Sequence, residues 1–153
     1  MDSFDEFLKV VKQIRKECPW DSVQTHESLK ECLTNEVQEV FEGIDHFRET
    51  GDSDNFCEEL GDILMLLILQ SEIAREEGQF TIDDVISGVA DKMRFRHPRI
   101  FFPEDKEACS LSWDELKKRE KKRRKRLSYA KNLDIFSLFS QNFADFFKQN
   151  FLV

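Results

Sequence analysis

The hydrophobic positions of this chain recur at intervals of three and four residues, which is the spacing of amphipathic helices. Pro19 closes the first helix because proline disfavours a helical conformation in the residue before it. Thr25 is a favourable N-cap for the second. Three helices are therefore predicted in the first half of the chain, over residues 3–17, from about Thr25 to about Glu49, and from about Asp54 to Glu77. Residues 63–69 are apolar on every side, so the third helix is expected at the centre of a bundle.

Helix start signals also mark the second half of the chain. Thr81 is predicted to cap a fourth helix that ends before Pro98. A loop of about 14 residues follows in this interpretation, and Ser112 caps a charged fifth helix from Trp113 to about Leu127. Gly and Pro number only 5 and 3, which weighs against an all-β protein with its many tight turns. The pattern predicts an all-α helical bundle.

The character of the sequence changes near residue 127. Residues 1–127 are expected to form one domain, which is long enough to bury a core. Residues 128–153 carry phenylalanines at helical spacing, and we expect this tail to form a helix that packs on the body or on a second subunit. Binding to a membrane surface is disfavoured because, from residue 132 onward, only Lys148 attracts anionic lipid.

Charge and cysteine usage exclude several protein classes. The formal net charge of -8 disfavours a nucleic-acid-binding protein, since affinity for phosphate backbones depends on positive charge. The four cysteines are widely spaced without a CxxC motif, which indicates free thiols in a reducing cytosol. The first residues do not have the order of a signal peptide, and no apolar run is long enough to cross a bilayer. A cytoplasmic protein without a membrane partner is expected.

Two pairs of carboxylates stand at three-residue spacing on consecutive helices. Glu36 and Glu39 border the apolar stripe of the second helix. Glu59 and Asp62 lie on a face of the third helix that continues with apolar residues. Buried anions are costly unless compensated, and antiparallel neighbouring helices would bring both pairs to one level. Hard oxygen ligands of this kind suit Mg²⁺, with Mn²⁺ as a substitute. The alternative is a solvated acidic face, because 31 acidic residues produce such spacings by chance.

Basic and aromatic side chains accompany these carboxylates. Lys92 and Arg96 share a helix face and are candidates for clamping a phosphate chain, although cations near a helix C-terminus also favour the helix dipole. Trp20 is a candidate for stacking on a nucleobase or for packing against the second helix. His97 is expected to fix a helix end. Gly61, inside the third helix, is expected to mark a close approach to its backbone.

The ordered set of motifs resembles the MazG nucleotide pyrophosphohydrolases over roughly residues 4–126. The segments that carry the resemblance are Cys18-Pro19-Trp20-Asp21, Gln24-Thr25-His26-Glu27-Ser28-Leu29, Glu36-Val37-Gln38-Glu39-Val40, Glu58-Glu59-Leu60-Gly61-Asp62-Ile63-Leu64, Glu76-Glu77-Gly78-Gln79-Phe80, Asp91-Lys92, Arg96-His97-Pro98 and Trp113-Asp114-Glu115-Leu116-Lys117 with Glu120-Lys121. Each motif alone is weak, but the ordered set is very specific.

The resemblance implies an all-α fold in which a second subunit completes the bundle, as a homodimer or homotetramer. It implies that Glu36, Glu39, Glu59 and Asp62 bind Mg²⁺ and act in catalysis through it. The implied reaction converts a nucleoside triphosphate to monophosphate and pyrophosphate, removing non-standard or surplus nucleotides. The alternatives are a related dUTP, dCTP or phosphoribosyl-ATP pyrophosphohydrolase, and a catalytically weak nucleotide-binding or regulatory module.

The sequence departs from the family pattern at three points. Asn35 stands where the family often has a glutamate that opens the first motif, and this removes one anion. Phe95 replaces an arginine that commonly precedes the Arg-His-Pro sequence. Many members have two tandem copies of the domain, whereas this chain has one copy and the phenylalanine-rich tail.

Overall fold

Helices make up the regular secondary structure of residues 3–126, the part of the chain that the computed structural model describes, and no strand occurs there. The elements are α1 (Ser3–Glu17), a 3-10 turn (Asp21–Val23), α2 (Leu29–Thr50), α3 (Asp54–Glu76), α4 (Ile82–Arg96), α5 (Pro98–Phe101), α6 (Lys106–Ser110) and α7, helical over 113–126. The predicted all-α class is confirmed. None of the described helices is both long and apolar enough to cross a membrane. The phenylalanine-rich tail lies outside the described residues, so the boundary at residue 127 stays a prediction.

Most helix ends lie where the sequence predicts them. Gly51 follows α2 with a φ of 79°, and Gly78 follows α3 with a φ of 69°, the left-handed conformation that favours glycine. At the start of α4 the Thr81 N–H donates to the Asp84 carboxylate, and the Asp84 N–H donates to the Thr81 hydroxyl. Ser112 caps α7 in the same reciprocal manner with Glu115. These local signals explain why α3, α4 and α7 were predicted well.

Two predicted boundaries were wrong. Helix α2 begins at Leu29 rather than near Thr25, because Thr25 and Ser28 each donate a backbone N–H to the other's hydroxyl and form a separate turn. The expected loop after α4 contains the short helices α5 and α6. Pro98 supplies the fixed φ that suits the first position of α5, and the Asp105 carboxylate caps α6 by accepting the N–H of Ala108 at 2.9 Å.

The described residues belong to two compact units, divided after residue 87. In the first unit α3 contacts both α1 and α2, which confirms its predicted central position. Side chains of all three helices form the core of this unit, namely Val11, Leu29, Leu66, Ile68, Leu69 and Ile73. Burial of this apolar stripe against its neighbours is the main stabilising term for the helices.

Helices α2 and α3 form an antiparallel hairpin joined by residues 51–53. Near the turn, the rings of Phe47 and Phe56 stack with centroids 6.4 Å apart. At the far end, the His26 ring contacts the Gln70 side chain, so the two segments run in opposite directions. Between these points Gly43 permits close packing, because a Cβ there would lie 3.0 Å from the Phe56 Cα. The hairpin therefore sets which levels of α2 and α3 face each other.

Arg15 anchors the segment between α1 and α2, which includes Trp20. Its guanidinium donates to the backbone carbonyls of Asp21 at 2.5 Å and Gln24 at 3.0 Å. It also pairs with the Glu76 carboxylate at 2.8 Å, and this hydrogen-bonded pair lowers the pKa of Glu76. A single side chain thus ties the 3-10 turn to the end of α3.

Candidate metal centre

Three carboxylates from the α2–α3 hairpin converge in the first unit. Glu59 and Asp62 lie three residues apart on one side of α3, and the antiparallel pairing brings Glu36 of α2 to their level. One carboxylate oxygen from each residue lies within 4.8 Å of those of the other two. Glu59 is only 7% exposed, while Glu36 and Asp62 are half-buried. The structure therefore places an anionic cluster partly inside the protein.

The cluster has no compensating cation among residues 3–126, since no lysine, arginine or histidine there forms an ion pair with any of its three members. Partial burial raises the pKa of Glu36, and the negative charges of Glu39, Asp62 and Glu59 raise it further. Such an arrangement disfavours the fully ionised state unless a positive charge is added. Three hard oxygen donors suit a divalent cation of the Mg²⁺ or Mn²⁺ type.

Glu39, the fourth carboxylate expected from the sequence, is not part of this convergent group. It lies on α2 with an exposed side chain, three residues beyond Glu36. Its charge nevertheless contributes to the raised pKa of Glu36. Its role as a metal ligand stays a prediction.

Two residues that support the cluster were missed by the sequence analysis. The side-chain amide of Asn55 donates to Glu59 Oε1 at 2.7 Å from one helical turn earlier. Gly43 makes a close contact with α3, whereas a Cβ on Gly61 would meet no atom of residues 3–126 within 4 Å. The close approach expected at Gly61 is therefore not found within the described part of the chain. The spacing of four residues between Asn55 and Glu59 was a readable signal, but the Gly43 contact depends on how the helices pack.

In the second unit, Arg96 is held by contacts of its own. One guanidinium nitrogen donates to the Glu120 carboxylate at 2.7 Å, and its central carbon lies 5.6 Å from the Trp113 ring centroid. This hydrogen bond lowers the pKa of Glu120, and the positive charge of Lys92 acts in the same direction. Arg96 Nε is buried without a hydrogen-bond partner in the described part. Binding of phosphate by Lys92 and Arg96 stays a prediction.

The two aromatic sites differ in exposure and support. Trp20 is 55% exposed, and its backbone carbonyl accepts a hydrogen bond from the Gln24 side chain at 2.9 Å. An exposed ring on a backbone that is fixed by a hydrogen bond is compatible with the predicted stacking on a nucleobase. His97 forms a hydrogen bond between its Nδ1 and the Met93 carbonyl at 2.7 Å, so it fixes the end of α4 as expected.

Comparison with known proteins identifies relatives over most of the chain. The family described as the MazG nucleotide pyrophosphohydrolase domain matches residues 24–101, just over half of the chain. The YabN protein of Bacillus subtilis (strain 168), itself uncharacterised, is 41% identical over 123 residues, which cover 77% of this chain and 24% of YabN. The nucleoside triphosphate pyrophosphohydrolase/pyrophosphatase MazG of Thermotoga maritima is also 41% identical, over 80% of this chain and 47% of that protein.

A solved structure agrees with these sequence relationships. The crystal structure of a mazG-related protein from Thermotoga maritima has a TM-score of 0.57 and 29% sequence identity to this chain, and it covers 79% of this chain and 98% of its own. The chain spans between about a quarter and a half of the length of the curated relatives above. The matched residues 24–101 include the carboxylate cluster and its supporting residues. The chain therefore belongs to the MazG nucleotide pyrophosphohydrolase domain family.

Proposed function

We propose that the protein hydrolyses nucleoside triphosphates to nucleoside monophosphates and pyrophosphate in a Mg²⁺-dependent reaction. The observation that carries this proposal is the partly buried cluster of Glu36, Glu59 and Asp62 without a compensating cation in the described part. The names of the Thermotoga maritima relative and of an Escherichia coli relative, 32% identical over 127 residues, support the reaction class. Removal of non-standard or surplus nucleotides is the purpose we propose.

In this mechanism Glu36, Glu59 and Asp62 would hold the cation, and Glu39 is the proposed fourth ligand. A bound divalent cation neutralises charge that develops on triphosphate oxygens and lowers the pKa of water. The chain's own residues orient the substrate: we propose that Lys92 and Arg96 hold phosphate oxygens through charged hydrogen bonds, and that Trp20 stacks on the base.

The first prediction concerns the products. Incubation with a panel of ribo- and deoxyribonucleoside triphosphates and Mg²⁺ is expected to release pyrophosphate and monophosphate in equal amounts, because the proposed attack separates the α- and β-phosphates. Chelation with EDTA should abolish release, and added Mg²⁺ should restore it. Paired assays for pyrophosphate and orthophosphate measure the outcome and rank the bases, including dUTP and dCTP, with phosphoribosyl-ATP as a further substrate.

The product assay distinguishes the alternatives. Release of orthophosphate alone would contradict the proposed bond cleavage. No release from any nucleotide by the folded protein would favour a binding or regulatory module. In that case Asn35, which stands where the family often has a glutamate, is the first residue to restore to glutamate.

We also propose that a second copy of the chain completes the bundle, as a homodimer or as part of a homotetramer. Helices α2 and α3 each expose an apolar stripe at helical spacing. Six large side chains are between 37% and 56% exposed, namely Val37, Phe41, Ile44, Leu60, Leu64 and Leu67. Exposure of so much apolar surface on two adjacent helices is typical of an interface. The tail at residues 128–153 is proposed to pack on the body or on this second subunit.

The second prediction tests this interface. Leu67→Asp is expected to raise the dimer dissociation constant at least about tenfold, because it places a charge in an apolar contact. Val10→Asp, on α1 with a similar exposed fraction of 43%, is the matched control and should leave assembly unchanged. Sedimentation equilibrium at micromolar concentrations measures both. A wild-type protein that sediments as a monomer, or equal effects of the two substitutions, would contradict the assignment of this surface.

We propose a cytoplasmic location. All four cysteines lie in the described part of the chain, and all four are free thiols. Free thiols without disulfides are typical of a reducing compartment.

A further inference from the structure

The buried carboxylate of Glu59 has a neutral donor beside it. Asn55 Nδ2 donates to Glu59 Oε1 at 2.7 Å, and no cation among residues 3–126 pairs with Glu59. A lysine or arginine in this place would cancel the charge of the carboxylate. The Asn55 amide is neutral, so it donates a hydrogen bond to one Glu59 oxygen without cancelling the charge of the carboxylate. That negative charge stays available to a cation.

Close packing of the hairpin limits where the Asn55 side chain can lie. A Cβ on Gly43 would lie 3.3 Å from Asn55 Oδ1 and 3.0 Å from the Phe56 Cα, so the α2 backbone stands directly against this end of α3. A side chain at position 43 would crowd the Phe56 backbone and press on the Asn55 amide. The amide oxygen faces α2, and the amide nitrogen reaches Glu59.

We infer that Asn55 is a positioning residue that orients Glu59 for a divalent cation. The hydrogen bond to Oε1 holds the Glu59 carboxylate in one orientation, and its remaining lone pairs would bind the cation together with Glu36 and Asp62. Partners of this type fix the orientation of metal ligands, and their loss costs about 10- to 100-fold in metal affinity. The inference rests on the proposed function, because it requires that the cluster binds a cation.

Binding of Mn²⁺ to the 153-residue chain, measured by electron paramagnetic resonance and by calorimetry, tests this role without any substrate. Asn55→Ala is expected to raise the Mn²⁺ dissociation constant about tenfold or more. Asn55→Gln keeps an amide donor on a longer side chain and should bind Mn²⁺ more tightly than Asn55→Ala does. Cys57→Ala, an exposed neighbour on α3, is the control and should bind as the wild type does.

The variants separate this inference from the proposed function. If Glu59→Gln loses Mn²⁺ while Asn55→Ala binds it as tightly as the wild type, the positioning role is overturned and the metal site stands. If the wild type does not bind Mn²⁺, both are overturned. If Asn55→Ala loses its helical circular dichroism, Asn55→Ser replaces it, since its hydroxyl is too short to reach Glu59, and unchanged affinity in that variant equally overturns the role.

Discussion

Replacement of Glu59 by glutamine is expected to lower the rate of pyrophosphate release about a hundredfold to a thousandfold. The substitution keeps the shape of the side chain and an oxygen that accepts the Asn55 hydrogen bond. It removes one of the three negative charges that converge between α2 and α3. Because this residue is the most buried of the three, water cannot replace its contribution easily. Initial rates of pyrophosphate release at saturating nucleotide, over a titration of Mg²⁺, measure the effect.

The neighbouring residue supplies a matched control for this experiment. Glu58 is exposed on α3 and does not belong to the convergent group. Glu58→Gln makes the same chemical change one residue away and should keep the rate within about twofold. Equal losses in the two variants would indicate a general charge effect. A fully active Glu59→Gln would remove this residue from the catalytic mechanism.

Removal of the Glu120 carboxylate is expected to lower the free energy of unfolding by about 2 to 4 kcal/mol. Glu120 is 8% exposed and Arg96 is 13% exposed, so Glu120→Ala leaves a guanidinium largely buried and without its anion. The Trp113 ring still contacts Arg96 and offsets a small part of the loss. Glu104→Ala, at an exposed position between α5 and α6, is the control and should change stability by less than about 0.5 kcal/mol. Urea unfolding followed by circular dichroism compares the variants.

The pH dependence of this effect has a defined sign. Because the hydrogen bond from Arg96 lowers the pKa of Glu120 in the folded protein, the pair stabilises the fold above the unfolded pKa of glutamate, about 4.3. That stabilisation is lost as the pH falls through the lowered folded pKa. The difference between wild type and Glu120→Ala should therefore be constant near neutral pH and shrink in acid. A difference that grows on acidification would contradict the ion pair.

Features encoded within one or two helical turns could be predicted from the sequence. The apolar run at 63–69 correctly indicated the central helix, and the Thr81 and Ser112 capping signals marked the starts of α4 and α7. The projection of α3 also placed Glu59 on its apolar side, where it is now seen to be buried. Each of these depends on the period of a helix or on the donors left unpaired at its end.

Beyond the expectation that the carboxylate pairs of α2 and α3 lie at one level, the individual contacts between segments remote in sequence could not be predicted. Gly43 and Gly61 are both glycines inside a helix, so the sequence does not distinguish them. Only the packing of α2 on α3 places Gly43 at the close contact between the two helices. The Arg96 pair joins residues 24 positions apart, and the Arg15 pair joins residues 61 positions apart. The predicted start of α2 was wrong for a local reason. Thr25 and Ser28 hydrogen-bond to each other in a turn that competes with the helix.

The origin of the carboxylate cluster in a single helical hairpin bears on how the protein folds. Glu36, Glu59 and Asp62 meet as soon as α2 and α3 pair through the short connection at residues 51–53, and no distant segment has to arrive first. Only the short connection has to close for the two helices to pair, so hairpin formation is intrinsically a fast step. The same step brings three carboxylates together. Because like charges repel, we expect the pairing of the two helices to be slower at low ionic strength. The hairpin that builds the site is thus also the point at which ions in the surrounding solution can influence the rate of folding.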